Sequence, residues 1–136
     1  MDIRLNDEQL GRRDEARRFA AGLARWADVI DQTETTPAEV LQEVRKSLYL
    51  GASLSRQWGG GGFDPISYGV VTEEIGAVSS SIRSLLTVHN MSSQAVAQFG
   101  SAEQKSRWLP ALCSGEKLAA FALSEPDVGS DAGAIQ

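Results

Sequence analysis

The sequence predicts a mainly α fold, five helices followed by one strand, and three observations predict it. Apolar residues recur at three- and four-residue spacing through five successive stretches. Each stretch opens on residues suited to capping a helix N-terminus, such as Asn6, Thr36, Asp64, Ser79 and Ser101. A strand-like apolar run is confined to residues 117–124.

Asn6-Asp7-Glu8-Gln9 has the form of a capping box, and behind it Ala16, Phe19, Ala20, Leu23, Trp26, Ala27 and Ile30 make one apolar stripe. The other face, rich in arginine from Arg12 to Arg18, reads as solvated. Thr36-Pro37-Ala38-Glu39 places a Thr N-cap before Pro at the first helical position. Val40, Leu41, Val44 and Leu48 continue that helix, and Gly51 is expected just past its end. The four glycines from Gly59 to Gly62 form a loop, since their backbone entropy opposes helix and strand. They lack the Lys-Ser/Thr of a phosphate-binding loop and the spacing of a dinucleotide fingerprint. A permissive turn anchored by Trp58 and Phe63 is the expectation.

Asp64-Pro65 starts the third helix, with Ile66, Val70, Val71 and Ile75 as inward positions. Glu73 and Glu74 diverge by about 100° on a helix, so they form an ion-paired or solvated face and no proton-sharing dyad. Ser79-Ser80-Ser81 caps a long fourth helix through Ile82, Leu85, Leu86, His89, Val96 and Phe99. Its polar residues, among them Ser84, Thr87, His89, Asn90 and Gln94, either line a ligand channel or meet satisfied neighbours. His89 reads as a structural histidine. Ser101-Ala102-Glu103-Gln104 is a second capping box, opening a short helix through Trp108 and Leu109 with Pro110 near its end and Gly115 closing the unit. A lone strand is not a stable object, so the chain reads as the front of something larger, or as needing a partner.

Composition bounds the function. The 136 residues are 42% hydrophobic and 23% charged, ordinary for a globular domain, and the net charge of -5 argues against nucleic acid or an anionic membrane as partner. No stretch approaches the ~20 apolar residues of a membrane span, and Met1-Asp2-Ile3-Arg4 opens no signal peptide, so a cytoplasmic protein is expected. One cysteine, Cys113, and one histidine leave no basis for a disulfide, a metal site or Cys/His catalysis.

The residues then fall into a pattern. Leu5-Asn6-Asp7-Glu8-Gln9, Phe99-Gly100-Ser101-Ala102-Glu103-Gln104-Lys105 and Trp108-Leu109-Pro110 lead to Ala120-Phe121-Ala122-Leu123-Ser124-Glu125-Pro126 with Gly129-Ser130-Asp131. This ordered run resembles the acyl-CoA dehydrogenase family over nearly the whole chain. The resemblance implies an α + β + α fold: a helical N-terminal domain (1–116), a central β-domain that starts at 117–136, and a C-terminal helical domain. It implies FAD as cofactor. Phe121, Leu123 and Ser124 would meet the flavin, with Ser124 on its pyrimidine edge. Gly129 and Ser130 would approach the pyrophosphate, and Ser130 the pantetheine arm of the substrate. Glu125-Pro126 would fix the turn.

Ser84, Thr87, Val88 and Met91 would wall the acyl pocket. The implied reaction is α,β-dehydrogenation of an acyl thioester by loss of the α-proton to a carboxylate and of the β-hydrogen as hydride. That base lies in the family's C-terminal domain, so no catalytic residue is expected in this chain, which alone should be inactive. Asp127 stands where the family often has Gly, and residues 55–58 replace a Pro-containing segment.

The run from Ser79 to Thr87 with Met91, and residues 114–120, is similar to acyl-carrier-protein (acyl-ACP) dehydrogenase-like enzymes of polyketide extender-unit pathways. That similarity points to short, hydroxylated acyl groups carried by an acyl carrier protein, within a general expectation of an acyl-CoA or acyl-ACP thioester. The electron acceptor is unspecified, and the complete protein is expected to be a homo-oligomer. The rival expectation is a non-catalytic helical interaction module or split subunit that binds a carrier protein or a complementary chain.

Overall fold

The computed structural model describes residues 4–136, so Met1, Asp2 and Ile3 of the signal-peptide reading lie outside the described residues. Five α-helices carry the fold: α1 (Asp7–Thr33), α2 (Ala38–Lys46), α3 (Pro65–Gly76), α4 (Ser80–Phe99) and α5 (Ala102–Cys113). Short 3₁₀ turns occupy Tyr49–Gly51, Arg56–Trp58 and Ala132–Ala134. Among the described residues no helix is long and apolar enough to cross a membrane.

Local chemistry sets most of the helix starts. Asn6 accepts from the Gln9 amide at 2.9 Å and its own amide donates to Gln9 Oε1 at 3.1 Å, closing the expected box. Ser101 and Gln104 repeat it at α5. Asp64 accepts from the amides of Ile66 and Ser67 at 2.9 and 3.1 Å. At α2 the expectation fails. Pro37 itself is the N-cap and no side chain caps the helix. This helix also stops early, where the Ser47 amide and hydroxyl both donate to the Val44 carbonyl (3.1 and 2.7 Å). Leu48 therefore lies outside the helix and is 53% exposed. Gly51 does not end α2 but closes the 3₁₀ turn Tyr49–Gly51, and it packs tightly there, since a Cβ would sit 3.1 Å from Cys113 Cα and Sγ.

The core has two parts. Ala16, Ala20 and Leu23 of α1 pack with Val40 and Val44 of α2, Val71 and Ile75 of α3, and Ile82 and Leu86 of α4. Leu54, Leu109, Leu112 and Cys113 form the second cluster, flanked by Trp58 and Trp108. Each fully buried aliphatic side chain contributes about 1.5–3 kcal/mol. Two inward expectations are corrected. Ile66 is 56% exposed, because it stands in the first turn of α3 where Ser67 takes the buried position. Phe99 is 80% exposed at the last position of α4.

The expected strand at residues 117–124 is absent; among the described residues there is no strand at all. A strand needs a ladder partner for its amides and carbonyls, and this chain provides none. Only the beginning of the run is tied down, by Lys117 N–H to the Ala111 carbonyl (3.1 Å) and Ala119 N–H to His89 Nδ1 (3.0 Å).

Candidate functional site

A cleft of about 580 Å³ lies between α3 and α4. Pro65 and Tyr68 of α3, Thr87, Asn90, Met91 and Gln94 of α4, and Ser53 and Phe63 of the intervening segment form its walls. The α4 residues recur at three- and four-residue steps, which places them on one helix face.

The glycine run holds the intervening wall in place. The amides of Gly60, Gly61, Gly62 and Phe63 donate to the carbonyls of Ser55, Gly51, Leu54 and Ala52 at 2.8–3.2 Å. Those donors are spent on the chain itself, so the loop offers no phosphate cradle. The backbones approach so closely that a Cβ at Gly60 would lie 2.3 Å from the Leu54 carbonyl oxygen. Phe63 is fixed from the other side by the Arg12 guanidinium, 4.4 Å from its ring centroid.

Most of the polar face of α4 meets satisfied neighbours; the buried Ser93 hydroxyl has no partner among the described residues. Asn90 Nδ2 donates to the carbonyls of Tyr49 and Leu86 at 2.7 and 3.0 Å, and its Oδ1 accepts from Ser53 N–H and Oγ at 3.3 and 3.1 Å. Gln94 Nε2 donates to the Ser53 carbonyl at 2.7 Å. His89 is fully buried, bonded through Nε2 to the Leu112 carbonyl and through Nδ1 to Ala119 N–H, each at 3.0 Å. Burial lowers its pKa, opposed by the Leu112 bond. It is a structural histidine, as its lack of catalytic partners in the sequence suggested.

Of the acyl-wall residues named from the sequence, Thr87 and Met91 stand in the cleft. Val88 and Ser84 are not among its walls; Val88 is 37% exposed, and the Ser84 carbonyl accepts the Thr87 hydroxyl at 3.2 Å. Asn90 and Gln94 belong to the polar α4 face read from the sequence as a channel lining or as satisfied neighbours, whereas Tyr68 and Ser53 were not foreseen as part of a site. Tyr68 comes one turn after the Asp64-Pro65 helix start, and nothing in its spacing distinguishes it from a core tyrosine. Its hydroxyl is shielded from solvent and without a partner among the described residues. Burial raises its pKa, while the Arg83 charge acts in the opposite direction.

The residues named for a cofactor lie elsewhere, on the open segment after α5. Phe121 and Leu123 are 48% and 44% exposed, and Ser124, Gly129 and Ser130 are exposed as well. A Cβ at Gly129 would meet nothing within 4 Å. Glu125 and Val128 exchange backbone hydrogen bonds of 2.8 and 3.2 Å, so Glu125-Pro126 is a turn, as expected. The hydroxyls of Ser124 and Ser130, and a backbone that a group can approach closely, fit the acceptor edge and phosphates of a flavin nucleotide in chemistry. Glu74 is no base here. It takes a two-pronged bond from Arg17 at 2.6 and 3.0 Å, and that bond holds its carboxyl below the usual range.

Comparison with known proteins completes the description. The N-terminal domain family of acyl-CoA dehydrogenases matches residues 6–116. An acyl-CoA dehydrogenase of Bacillus subtilis (strain 168) is 34% identical over 98% of this chain, which covers 36% of that protein. The fold superposes on butyryl-CoA dehydrogenase of Megasphaera elsdenii with a TM-score of 0.87 at 30% identity, covering 100% of this chain and 37% of that one. It superposes on a glutaryl-CoA dehydrogenase of Mycobacterium smegmatis in complex with FADH2 with a TM-score of 0.90 at 30% identity, covering 97% and 34%. The chain thus spans about a third of the length of the relatives it matches.

Proposed function

The chain belongs to the acyl-CoA dehydrogenase family, whose N-terminal helical domain it supplies, and from that premise we propose that it forms one wall of the acyl pocket in a flavin-dependent acyl-thioester dehydrogenase. The observation that carries the proposal is the cleft between α3 and α4. Phe63, Pro65 and Met91 give it apolar walls, Thr87 stands beside them, and about 580 Å³ suits a short acyl chain.

In this reading α4 supports the acyl group through Thr87 and Met91, with Ser84 and Val88 on adjoining positions. FAD, when bound, supplies the hydride acceptor. Ser124 would hold its pyrimidine edge beside Phe121 and Leu123, Gly129 and Ser130 would approach its pyrophosphate, and Ser130 would border the pantetheine arm. Removal of the α-proton belongs to a carboxylate outside this chain. The proposal takes in a thioester on CoA or on an acyl carrier protein, and the resemblance of the Ser79–Thr87 run to polyketide extender-unit enzymes supports the second. It also takes in assembly of the complete protein from several copies.

The test is reconstitution of the full-length polypeptide with FAD and a panel of short acyl-CoA and acyl-ACP thioesters. A yellow protein whose flavin absorbance is bleached by a short acyl thioester is the expected result. Weaker flavin retention in Ser124→Ala and Ser130→Ala would accompany it. A full-length protein that binds no flavin and oxidises none of the thioesters would overturn the proposal.

A further inference from the structure

We propose that Phe63 is the end wall that sets how long an acyl chain the cleft accepts, and that Arg12, which is not part of the cleft, holds that wall in place. The inference rests on the acyl-thioester reading above and adds to it the residue that limits chain length.

The cleft between α3 and α4 has a smaller neighbour. A hollow of about 150 Å³ lies among Arg12, Glu15 and Phe19 of α1 and Ser47, Leu48 and Tyr49 of the segment after α2, and Phe63 is its remaining wall. Of the residues lining the two spaces, Phe63 alone is common to both. It is half-buried, so it presents surface to them and is not sealed in the core. The hollow is itself a place for hydrocarbon. The Phe19 and Tyr49 rings meet edge to face with centroids 5.0 Å apart, and Leu48 stands beside them. Methylenes that reached it would be taken out of water.

The ring between them is held from several sides. The Phe63 amide donates to the Ala52 carbonyl at 2.8 Å, and the next residue, Asp64, caps α3 and accepts from Gln9 Nε2 of α1 at 3.3 Å. The backbone that carries the ring is thus fixed at both ends. Gly61 lies against the ring edge, where a Cβ would come within 2.7 Å of Phe63 Cε1. The Arg12 guanidinium stands over the ring, 4.4 Å from its centroid, and is anchored by Glu15 at 3.2 Å and Glu8 at 4.0 Å. A cation over an aromatic face resists displacement of that ring. An acyl chain long enough to reach Phe63 must therefore stop there or push the ring off Arg12, whereas loss of the ring would join the two spaces.

The experiment uses the full-length, FAD-loaded polypeptide and compares kcat/KM for butyryl-CoA, hexanoyl-CoA and octanoyl-CoA. The wild type should favour butyryl-CoA. Phe63→Ala should raise the octanoyl-to-butyryl ratio at least about tenfold, the lower end of what one methylene in an apolar pocket is worth. Arg12→Gln keeps the ring and removes the cation, and should raise the same ratio about two- to fivefold, the scale of an exposed cation–π contact. A merely structural Arg12 would lower all three values together and leave the ratio where it was, which would remove its part in the inference. Phe63→Leu carries the comparison if the alanine variant does not fold. A wild type that oxidises octanoyl-CoA as well as butyryl-CoA or better would overturn the inference, as would a ratio that stays at the wild-type value in the folded Phe63 variant. Oxidation of butyryl-CoA by the wild type in either case leaves the acyl-thioester reading standing while Phe63 loses its role. If the wild type oxidises none of the thioesters, the reading of the site falls and the inference with it.

Discussion

His89 accepts the amide proton of Ala119 at 3.0 Å and so ties the segment after α5 to the middle of α4. Nδ1 is therefore unprotonated, and Nε2 carries the ring hydrogen that it donates to the Leu112 carbonyl. Burial holds the folded-state pKa below the ordinary histidine value. Because the unfolded chain binds this proton more readily, folding stability is full above about pH 6.5 and falls as pH drops from there toward the folded-state pKa. Protonation also removes the acceptor for Ala119. The expected outcome is a loss of thermal stability between neutral and mildly acidic pH, with faster hydrogen exchange at the Ala119 amide over the same range. His89 is the chain's one histidine, so its imidazole resonances report the titration without ambiguity. A pKa at or above the ordinary value would contradict this account.

Asn90 holds three segments at once. It is fully buried and bridges the carbonyls of Tyr49 and Leu86 to Ser53. Asn90→Leu keeps the approximate volume but leaves the Ser53 amide without its acceptor and the Tyr49 carbonyl with only the 3.4 Å bond from the Ala52 amide. The expected cost is about 2 kcal/mol, one backbone donor left unsatisfied and one carbonyl bond lost. Urea unfolding should show a lower midpoint with an unchanged slope. The same variant should loosen the segment that carries Ser53 and Phe63, and with it the cleft.

Much of this architecture is legible in the sequence wherever a local device decides the outcome. The Asn6–Gln9 and Ser101–Gln104 boxes and the Asp64 cap act within three residues, and each forms as read. The α2 readings failed locally, at the Pro37 cap and the Ser47–Val44 stop, while other readings that failed depend on distant partners. Gly51 looked like a helix terminator because its own neighbourhood says so, while its actual constraint is Cys113, far along the chain. The run at 117–124 has strand composition, but composition cannot create the second strand that a ladder requires. The cleft follows the same division. Thr87 and Met91 were nameable through a resemblance, whereas Tyr68 is marked only by a missing partner in three dimensions.

Two glycines separate conformational need from habit. Gly60 has no room for a side chain, because a Cβ would meet the Leu54 carbonyl carbon at 2.7 Å and its oxygen at 2.3 Å. Both are backbone atoms and cannot swing aside. Gly60→Ala should therefore displace the loop and cost about 2 kcal/mol or more. Gly11 lies within α1, where a Cβ would meet nothing within 4 Å. Gly11→Ala removes backbone entropy from the unfolded chain and should stabilise by about 0.5–1 kcal/mol. Thermal or urea unfolding of the two variants should shift in opposite directions.

The helical unit and the segment that follows it should respond separately to substitution. Leu109 is wholly buried among Leu54, Leu112 and Cys113. Leu109→Ala should cost about 2–5 kcal/mol through lost burial and the cavity it leaves. Phe121 is 48% exposed and belongs to neither core cluster. Phe121→Ala should move the unfolding midpoint of the helical unit by less than about 0.5 kcal/mol equivalent. The order reverses for cofactor retention in the full-length polypeptide, where Phe121→Ala should release flavin more readily. A folded, temperature-stable Phe121→Ala protein that retains flavin as well as the wild type would show that the segment's exposed aromatic is not a flavin contact.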